Sequence, residues 1–381
     1  MNDDLYQKSL ELHRKFRGKI ELKSRVPLKD QHDLSLAYTP GVAEPSRRIA
    51  EDPNEVWELT SRGNWVAVVT DGTSVLGLGD IGPAAGLPVM EGKCILFKEF
   101  AGIDAFPLVI DSKNVDEIVA TVKRVQYSFG AVNLEDISAP RCFEIEERLE
   151  RELGIPVMHD DQHGTAVVVA AGLMNALKLV GKSFETASFA VSGAGAAGNA
   201  IIKMLYAMGA RDIVASDRWG IIGPHRELDE YRIGLLKITN QKEMRGELED
   251  AVKGRDVFIG VSGPNILTEE MVRSMNKDAI VFALANPEPE IDPDLAKRAG
   301  ARIVATGRSD YPNQINNVLA YPGIFKGALE TRAPKITEAM KRAAVVALAS
   351  YVKEPSDSKL LPDALDRNVA RVVSDAIKAL Q

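Results

Sequence analysis

Residues 188–217 read SFAVSGAGAAGNAIIKMLYAMGARDIVASD, and this stretch decides the fold. The apolar run SFAVSG has the composition of a strand. It passes into Gly193-Ala-Gly195-Ala-Ala-Gly198, and NAIIKMLYAMG after it reads as a helix closed by a glycine. A second strand, DIVASD, ends on Asp217. A G-x-G-x-x-G loop that turns from a strand straight into a helix leaves the helix's first N–H groups free to hold a pyrophosphate. An acidic residue about 20 positions on, at the end of the second strand, receives the ribose hydroxyls. Gly193, Gly195, Ala196, Ala197 and Gly198 are therefore the expected cradle, and Asp217 the expected ribose ligand, for NAD or NADP. A carboxylate at 217 disfavours a 2′-phosphate, whereas Arg218 beside it would accept one.

Outward from this unit the same texture continues. DVFIGVSG, AIVFALANP and ARIVATG follow downstream with helical stretches between them. Strands alternating with helices imply a parallel sheet covered on both faces, here a doubly wound, Rossmann-type one. Upstream, over about 65–160, short apolar runs (WVAVVTDG, CILFKEF, FPLVID, AVNLED, IPVMHDD) alternate with glycine, proline and charge. Helix-like stretches lie at 115–128 and 141–153, a buried helix at about 166–180, and two tail helices at 335–351 and 362–380. A chain of 381 residues is long for one core. The expectation is α/β with two domains, the C-terminal one Rossmann-type and the N-terminal one a second α/β unit.

Hydrophobic residues make up 45% and charged residues 27%, the balance of a soluble globular protein. The net charge of −7 gives no general grip on nucleic acid or anionic lipid. No nucleic-acid or membrane partner is expected. Two cysteines, Cys94 and Cys142, make neither a Cys₄ zinc site nor a thiol redox pair. The N-terminus is charged and helix-like without the apolar core of a signal peptide, so the expected location is the cytoplasm.

A second G-x-G-x-x-G, Gly77 to Gly82, is followed by Pro83, Gly86 and Pro88. These residues argue against a regular helix there, so this copy reads as a loop shaping a pocket. Glu135-Asp136 and Asp160-Asp161 are adjacent acidic pairs, each after a strand-like run. Three carboxylates with substrate and water oxygens suit a hard divalent ion such as Mg²⁺ or Mn²⁺, while an isolated pair equally serves as a helix cap or surface charge. His159 and His163 flank the second pair without a cysteine nearby, which ranks zinc low. His13, His32 and His225 read as surface residues. Lys93 opens the apolar run CILF; partial desolvation would lower its pKa toward that of a general base, and a snorkelling surface lysine is the bland alternative. Tyr38, in the turn YTPG, reads as either a proton donor or a packed ring.

Taken together these stretches resemble the malic enzyme family in its short prokaryotic form. YTPGVA (38–43), VVTDGTSVLGLGDIGP (68–83), PVMEGK (88–93), NLEDISAP (133–140), HDDQHGTAVV (159–168), SGAGAAG (192–198), FALANP (282–287), ATGRSD (305–310) and PNQINNVLAYPGIF (312–325) carry the likeness. The resemblance implies oxidative decarboxylation of L-malate to pyruvate and CO₂ with reduction of NAD or NADP. It implies Glu135, Asp136 and Asp161 as metal ligands, with Asp160 beside the metal as a catalytic relay. Lys93 would be the base on the C2 hydroxyl and Tyr38 the acid that protonates the enol. Asn286 and Asn317 would contact the nicotinamide end and the substrate. The implied division is 1–158 for the N-terminal catalytic domain and 159–381 for the dinucleotide-binding domain with its C-terminal helices. A homodimer or higher homo-oligomer is implied too, with Tyr38 open to service in a partner's site. Ser74 stands where larger members carry an arginine for a substrate carboxylate, which leaves that role unassigned. A malolactic-type enzyme and an oxaloacetate decarboxylase share these motifs. A non-catalytic dinucleotide sensor on the same scaffold should have lost the acid or base residues that this chain keeps.

Overall fold

The computed structural model describes residues 2–75 and 77–380. Its first sheet contains β1 (Trp65–Thr70), β2 (Asp104–Val109), β3 (Ala131–Leu134) and β4 (Val157–His159), all parallel, in the order β2-β1-β3-β4. The second contains β5 (Ser188–Ser192), β6 (Asp212–Asp217), β7 (Gly220–Ile221), β8 (Val257–Gly260), β9 (Ile280–Ala283) and β10 (Ile303–Thr306). Its order is β10-β9-β8-β5-β6-β7, parallel except for the short β6–β7 return. The strand order reverses between β1 and β3 in one sheet and between β5 and β8 in the other. At such switch points the loops part beyond the strands' carboxyl ends and leave a crevice for ligand. This is the two-part α/β architecture read from the sequence, with the Rossmann-type sheet second.

Side-chain alternation explains why these runs are strands. In β1, Val66 and Val68 point into one core and Ala67 and Val69 into another, so the strand is buried on both faces. The larger core is shared by both sheets. It takes Val66 and Val68 from β1, Phe189 and Val191 from β5, and a stripe of the helix Asp160–Leu179 between them. Fourteen of that helix's twenty residues are buried. Because it starts directly on the end of β4, whatever its first residues hold is fixed to both sheets.

Two readings of the upstream half are corrected. Pro83, Gly86 and Pro88 do not prevent a helix: Pro83–Ala101 is a continuous one, and CILFKEF lies inside it. Pro83 occupies the first turn, where its missing N–H has no partner to lose, and Pro88 forfeits one further bond. Burial of Met90, Cys94, Phe97 and Ala101 along one stripe outweighs that loss. Loop length separates the two glycine motifs. Residues 71–82 intervene between β1 and its helix, but only 193–195 between β5 and the helix Ala196–Ala207.

The stretch 115–128 is an α-helix over Val115–Val125 and a 3₁₀ turn over Gln126–Ser128, and 141–153 is a helix over Arg141–Glu152. The tail helices are Glu338–Tyr351 and Val369–Lys378. The second starts later than expected because Asp363 and Asp366 accept hydrogen bonds from the N–H groups of Leu365 and Asn368, turning the chain locally. The helices Tyr321–Glu330 and Val369–Lys378 pack together and against the Pro83–Ala101 helix. There Phe97 meets Tyr321 and Phe325 edge-on at 4.8 and 5.3 Å. Among the described residues no helix is long and apolar enough to cross a membrane.

Candidate active site

A cleft of about 1170 Å³ opens where loops from the two sheets face each other. Lys93, Glu135, Asp136, Asp161, Asn286 and Asn317 line it, as do Ala196 and Ala197 of the glycine loop. Residues that the sequence spreads over more than two hundred positions thus meet in one space.

Glu135 follows β3, buried, and Asp136 takes a left-handed backbone conformation (φ 53°). In a continued strand the two side chains would point to opposite faces; the turn brings both to the cleft. The Asp136 N–H donates to Asp161 Oδ2 at 2.8 Å, which ties the acidic loop to the start of the Asp160–Leu179 helix. The loop after β1 is fastened to the same place. Buried Asp71 accepts from Thr73 and from Arg141 Nη1, the Ser138 N–H donates to Thr73 Oγ1, and the Ser74 N–H to the Asp136 carbonyl.

Lys93 is the centre of the cluster. Its Nζ lies 2.7 Å from Glu135 Oε1 and 2.6 Å from Asp160 Oδ2, with the ring of Tyr321 beneath it at 4.2 Å. Burial alone would push its pKa down, but Asp160 and Glu135 outweigh burial and hold it well above the ordinary lysine value. Desolvation alone therefore predicts the wrong sign for Lys93, because the sequence around it does not contain the carboxylates that face it. Burial pushes Asp160 up to about 8, against the pull of Lys93 and with Glu135 adding to the rise. Glu135 and Asp161 are raised for the same first reason.

Asp160 lies beneath the cleft wall, fully buried. Its Oδ2 also accepts from Asn317 Nδ2 at 2.6 Å, while Oδ1 is buried without a hydrogen-bond partner. Gly164, one turn along, makes room for it: a Cβ there would stand 1.8 Å from Asp160 Oδ1. Behind this layer is a second polar network. Glu146 accepts from the His159 N–H (2.6 Å) and Gln162 Nε2 (2.9 Å) and pairs with His163 Nε2 (3.1 Å). His163 Nδ1 meets Lys341 Nζ at 2.9 Å. Burial would raise Glu146, but His163, His159 and Lys341 reverse that and hold it at about 2.

The three glycines of the 193–198 loop do different work. A Cβ at Gly193 would stand 2.7 Å from the Val261 carbonyl, and one at Gly198 1.8 Å from the Gly193 carbonyl. At Gly195 nothing stands within 4 Å, and Gly195 caps the Ala196–Ala207 helix without a side-chain bond. Close packing on either side of an open, uncapped helix start is the arrangement that admits a pyrophosphate. Asp217 ends β6 beside this loop, where the Gly193 N–H donates to the Ser216 carbonyl at 2.8 Å. Arg218 does not face it, lying over the Trp219 ring instead (4.5 Å).

Tyr38 stands apart. It ends the helix Gln31–Ala37, is 67% exposed, and does not line the cleft of its own chain. The YTPG turn folds back on that short helix, with Gly41 N–H on the Ser35 carbonyl, and so carries the ring outward. His13, read as a surface residue, lines the cleft together with Lys19. Sequence reasoning missed Tyr321, Glu146 and Gly164. The last had a signal, since a glycine four places after a buried acid in a helix marks a close approach. Among the described residues no three His, Cys, Asp or Glu side chains already converge as a formed metal centre. One oxygen of Glu135 is taken by Lys93 and one of Asp161 by a backbone N–H. The donor set still fits a hard divalent ion in chemistry, because the carboxylates of Glu135, Asp136 and Asp161 line one cleft with a single ammonium, that of Lys93, at Glu135.

Residues 17–150 match the family model for the malic enzyme N-terminal domain, and 162–379 that for the malic enzyme NAD-binding domain. This chain belongs to the malic enzyme family. Among its relatives is the bifunctional malic/malolactic enzyme of Bacillus subtilis, 56% identical over 98% of this chain and 92% of its own length. The NAD-dependent malic enzyme of Geobacillus stearothermophilus is 55% identical over 94% of this chain and 76% of its own. The crystal structure of the NAD-dependent malic enzyme of Thermotoga maritima superposes with a TM-score of 0.94 at 52% identity, covering 97% of this chain and 98% of that one.

Two predictions follow from malic enzyme geometry as this chain builds it. Gly164→Ala should lower both melting temperature and kcat, although alanine is the better helix former by about 1 kcal/mol, because Asp160 must leave its bonds to Lys93 and Asn317; unchanged kcat would refute the packing argument. Glu146 has a folded pKa depressed from 4.5 to about 2. Its stabilisation, about 3 kcal/mol in linkage terms, is complete above the unfolded value and is lost as pH falls toward 2. Denaturant titrations should show the gap between wild type and Glu146→Gln shrinking over that acid range.

Proposed function

We propose that the protein oxidatively decarboxylates L-malate to pyruvate and CO₂, reducing NAD or NADP, with a divalent metal. The observation that carries this reading is the single cleft shared by Lys93, three carboxylates and the dinucleotide loop. Glu135, Asp136 and Asp161 would hold Mg²⁺ or Mn²⁺, their negative charge exceeding what one lysine balances. A dication there supplies Lewis-acid charge beside the substrate oxygens, and the nicotinamide takes up hydride.

The chain's own residues then have definite tasks. Lys93 Nζ is the group placed to take the C2 hydroxyl proton, and a dication held by the three carboxylates would oppose its protonation. Asp160, 2.6 Å away and with its carboxyl raised by burial, is placed to receive and return that proton. Asn317 keeps Asp160 in place through its amide at 2.6 Å. Asn286 and Asn317 offer amide donors at the cleft wall to the substrate carboxylate and the nicotinamide end. Cys94 and Cys142, free and buried, have thiols pushed up to about 12 by burial and take no part; they fit a reducing cytoplasm.

The acid that protonates the enol is Tyr38 of a second copy. In the N-terminal segment that carries Tyr38, the side chains of Leu22, Val26, Leu28, Leu36 and Val42 are also exposed. A run of uncovered apolar residues of this kind fits a subunit interface, here a homodimer or higher homo-oligomer. Lys93→Ala and Tyr38→Phe should each abolish turnover alone, and mixing and reassembling the two should restore it. No recovery from subunits shown to exchange would place the acid within one chain.

The name of the Bacillus subtilis relative supports a second reading, conversion of malate to lactate. Product analysis separates the two. With L-malate, Mn²⁺ and NAD or NADP, reduced nicotinamide and pyruvate should accumulate, and a chelator should stop both. Lactate without net reduced cofactor would favour the malolactic reading. Lys93→Ala should lose turnover yet bind dinucleotide normally.

A further inference from the structure

Glu290, in the loop between β9 and the helix Pro293–Arg298, is a fully buried carboxylate that no step of the proposed chemistry uses. Its two oxygens go to two different loops. Oε1 accepts from the Ser262 N–H at 2.9 Å, beyond the end of β8, and Oε2 from the Ala285 N–H at 3.0 Å, beyond the end of β9. The Glu290 carbonyl accepts from the Leu267 N–H at 2.9 Å, a second tie to the loop after β8. Gly260, the last residue of β8, makes room for the side chain: a Cβ there would stand 2.3 Å from Glu290 Cδ. Burial raises the pKa of Glu290, and the Ser262 and Ala285 N–H groups act against that rise. Of side chains this long, only an ionised glutamate offers two oxygens that both accept.

The two loops it joins form one wall of the cleft, which Ser262, Gly263, Ala285 and Asn286 line. On one side Ser262 reaches the strand that leads into the glycine loop, its Oγ 3.0 Å from Ser192 Oγ. On the other, Asn286 lies so close to Gly307 that a Cβ there would stand 2.7 Å from its Nδ2. Strand order says which end of the ligand meets this wall. β8 and β9 lie on the side of β5 away from β6. A dinucleotide that crosses the glycine loop with its adenosine ribose at β6 therefore lays its nicotinamide over β8 and β9. Resting on the dinucleotide reading of residues 193–198, we propose that Glu290 is a positioning residue: by clasping the loops after β8 and β9 it fixes the wall, Asn286 included, that sets the nicotinamide for hydride transfer. Glutamine in its place would fill the same space but turn its own N–H toward one of the two backbone donors, and so release one loop from the other. Reaction needs the two centres about 3–3.5 Å apart, and a displacement of about 1 Å costs about a hundredfold in rate.

Calorimetric titration of the full chain with NAD and ADP-ribose, and with NADP and 2′-phospho-ADP-ribose, separates the nicotinamide from the rest of the ligand. The deuterium isotope effect on kcat, with L-malate deuterated at C2, reports hydride transfer. Glu290→Gln should bind the nicotinamide-free ligands as wild type does, yet bind NAD or NADP about tenfold more weakly. Its kcat should fall by about tenfold to a hundredfold, with a larger isotope effect. Glu290→Asp keeps both acceptors but is shorter by a methylene, and should show the same pattern more mildly; it decides the matter if the glutamine chain does not fold. Equal weakening of ligands with and without nicotinamide, or no weakening and an unchanged isotope effect, overturns the positioning role. Wild type that binds none of the four ligands overturns the dinucleotide reading. Wild type that binds them without oxidising malate overturns the malate reading, and the binding comparison alone then judges Glu290.

Discussion

One buried ammonium held between the buried carboxylates of Glu135 and Asp160 is the constraint on which the rest depends. Lys93 lies within 2.7 Å of both Glu135 and Asp160, and neither oxygen has bulk water to compensate it. Breaking such a pair by removing one member leaves an uncompensated buried charge and costs about 3–5 kcal/mol. The surrounding architecture is what makes so costly a cluster tenable. Four separate segments deliver its members: the Pro83–Ala101 helix brings Lys93, the loop after β3 brings Glu135 and Asp136, the start of the Asp160–Leu179 helix brings the second acidic pair, and the turn at Asn317 braces Asp160. Each is anchored by buried apolar surface, so the charges are held by packing that has no share in the chemistry.

That anchoring has layers. Directly below Lys93 lies the Tyr321 ring, whose hydroxyl is buried without a partner. The aromatic face offers the ammonium attraction without a proton acceptor, so it steadies Lys93 without competing for its proton. Behind Asp160, Glu146 of the Glu146–His163–Lys341 network accepts from the His159 N–H and the Gln162 side-chain amide, satisfying polar groups deep in the core.

Much of this was legible in the sequence, for identifiable reasons. The Rossmann-type half announces itself because a glycine loop, a helix and an acid-ended strand obey fixed local spacing, and the structure gives Gly193 and Gly198 each a steric reason while leaving the helix start at Gly195 open. The acidic pairs were visible as candidates, but that Glu135 and Asp136 both face the cleft depends on a left-handed turn that composition does not encode. The prolines at 83 and 88 misled because helix breaking depends on position within the helix, and burial of Met90, Cys94 and Phe97 is decided by the tertiary core. Lys93 was found while its electrostatics were not: burial is local and guessable, whereas its partners lie at 135 and 160. Tyr321 belongs to the same class, joined to Lys93 only by the folded chain. Tyr38 shows the converse, a conspicuous local motif whose ring points away from its own cleft.

The last helix, Val369–Lys378, lies so close on Tyr321–Glu330 that a Cβ at Gly323 would stand 2.6 Å from Val373, and one at Gly327 2.9 Å from Ile377. The floor under Lys93 is therefore seated by a helix that lies far from Lys93 along the chain. Contacts between segments so widely separated close long loops, a slow step in folding. The charged groups of the site thus depend for their order on apolar packing that local sequence around them does not contain, and a change at Val373 or Ile377 would reach Lys93 through Tyr321 without touching a polar atom.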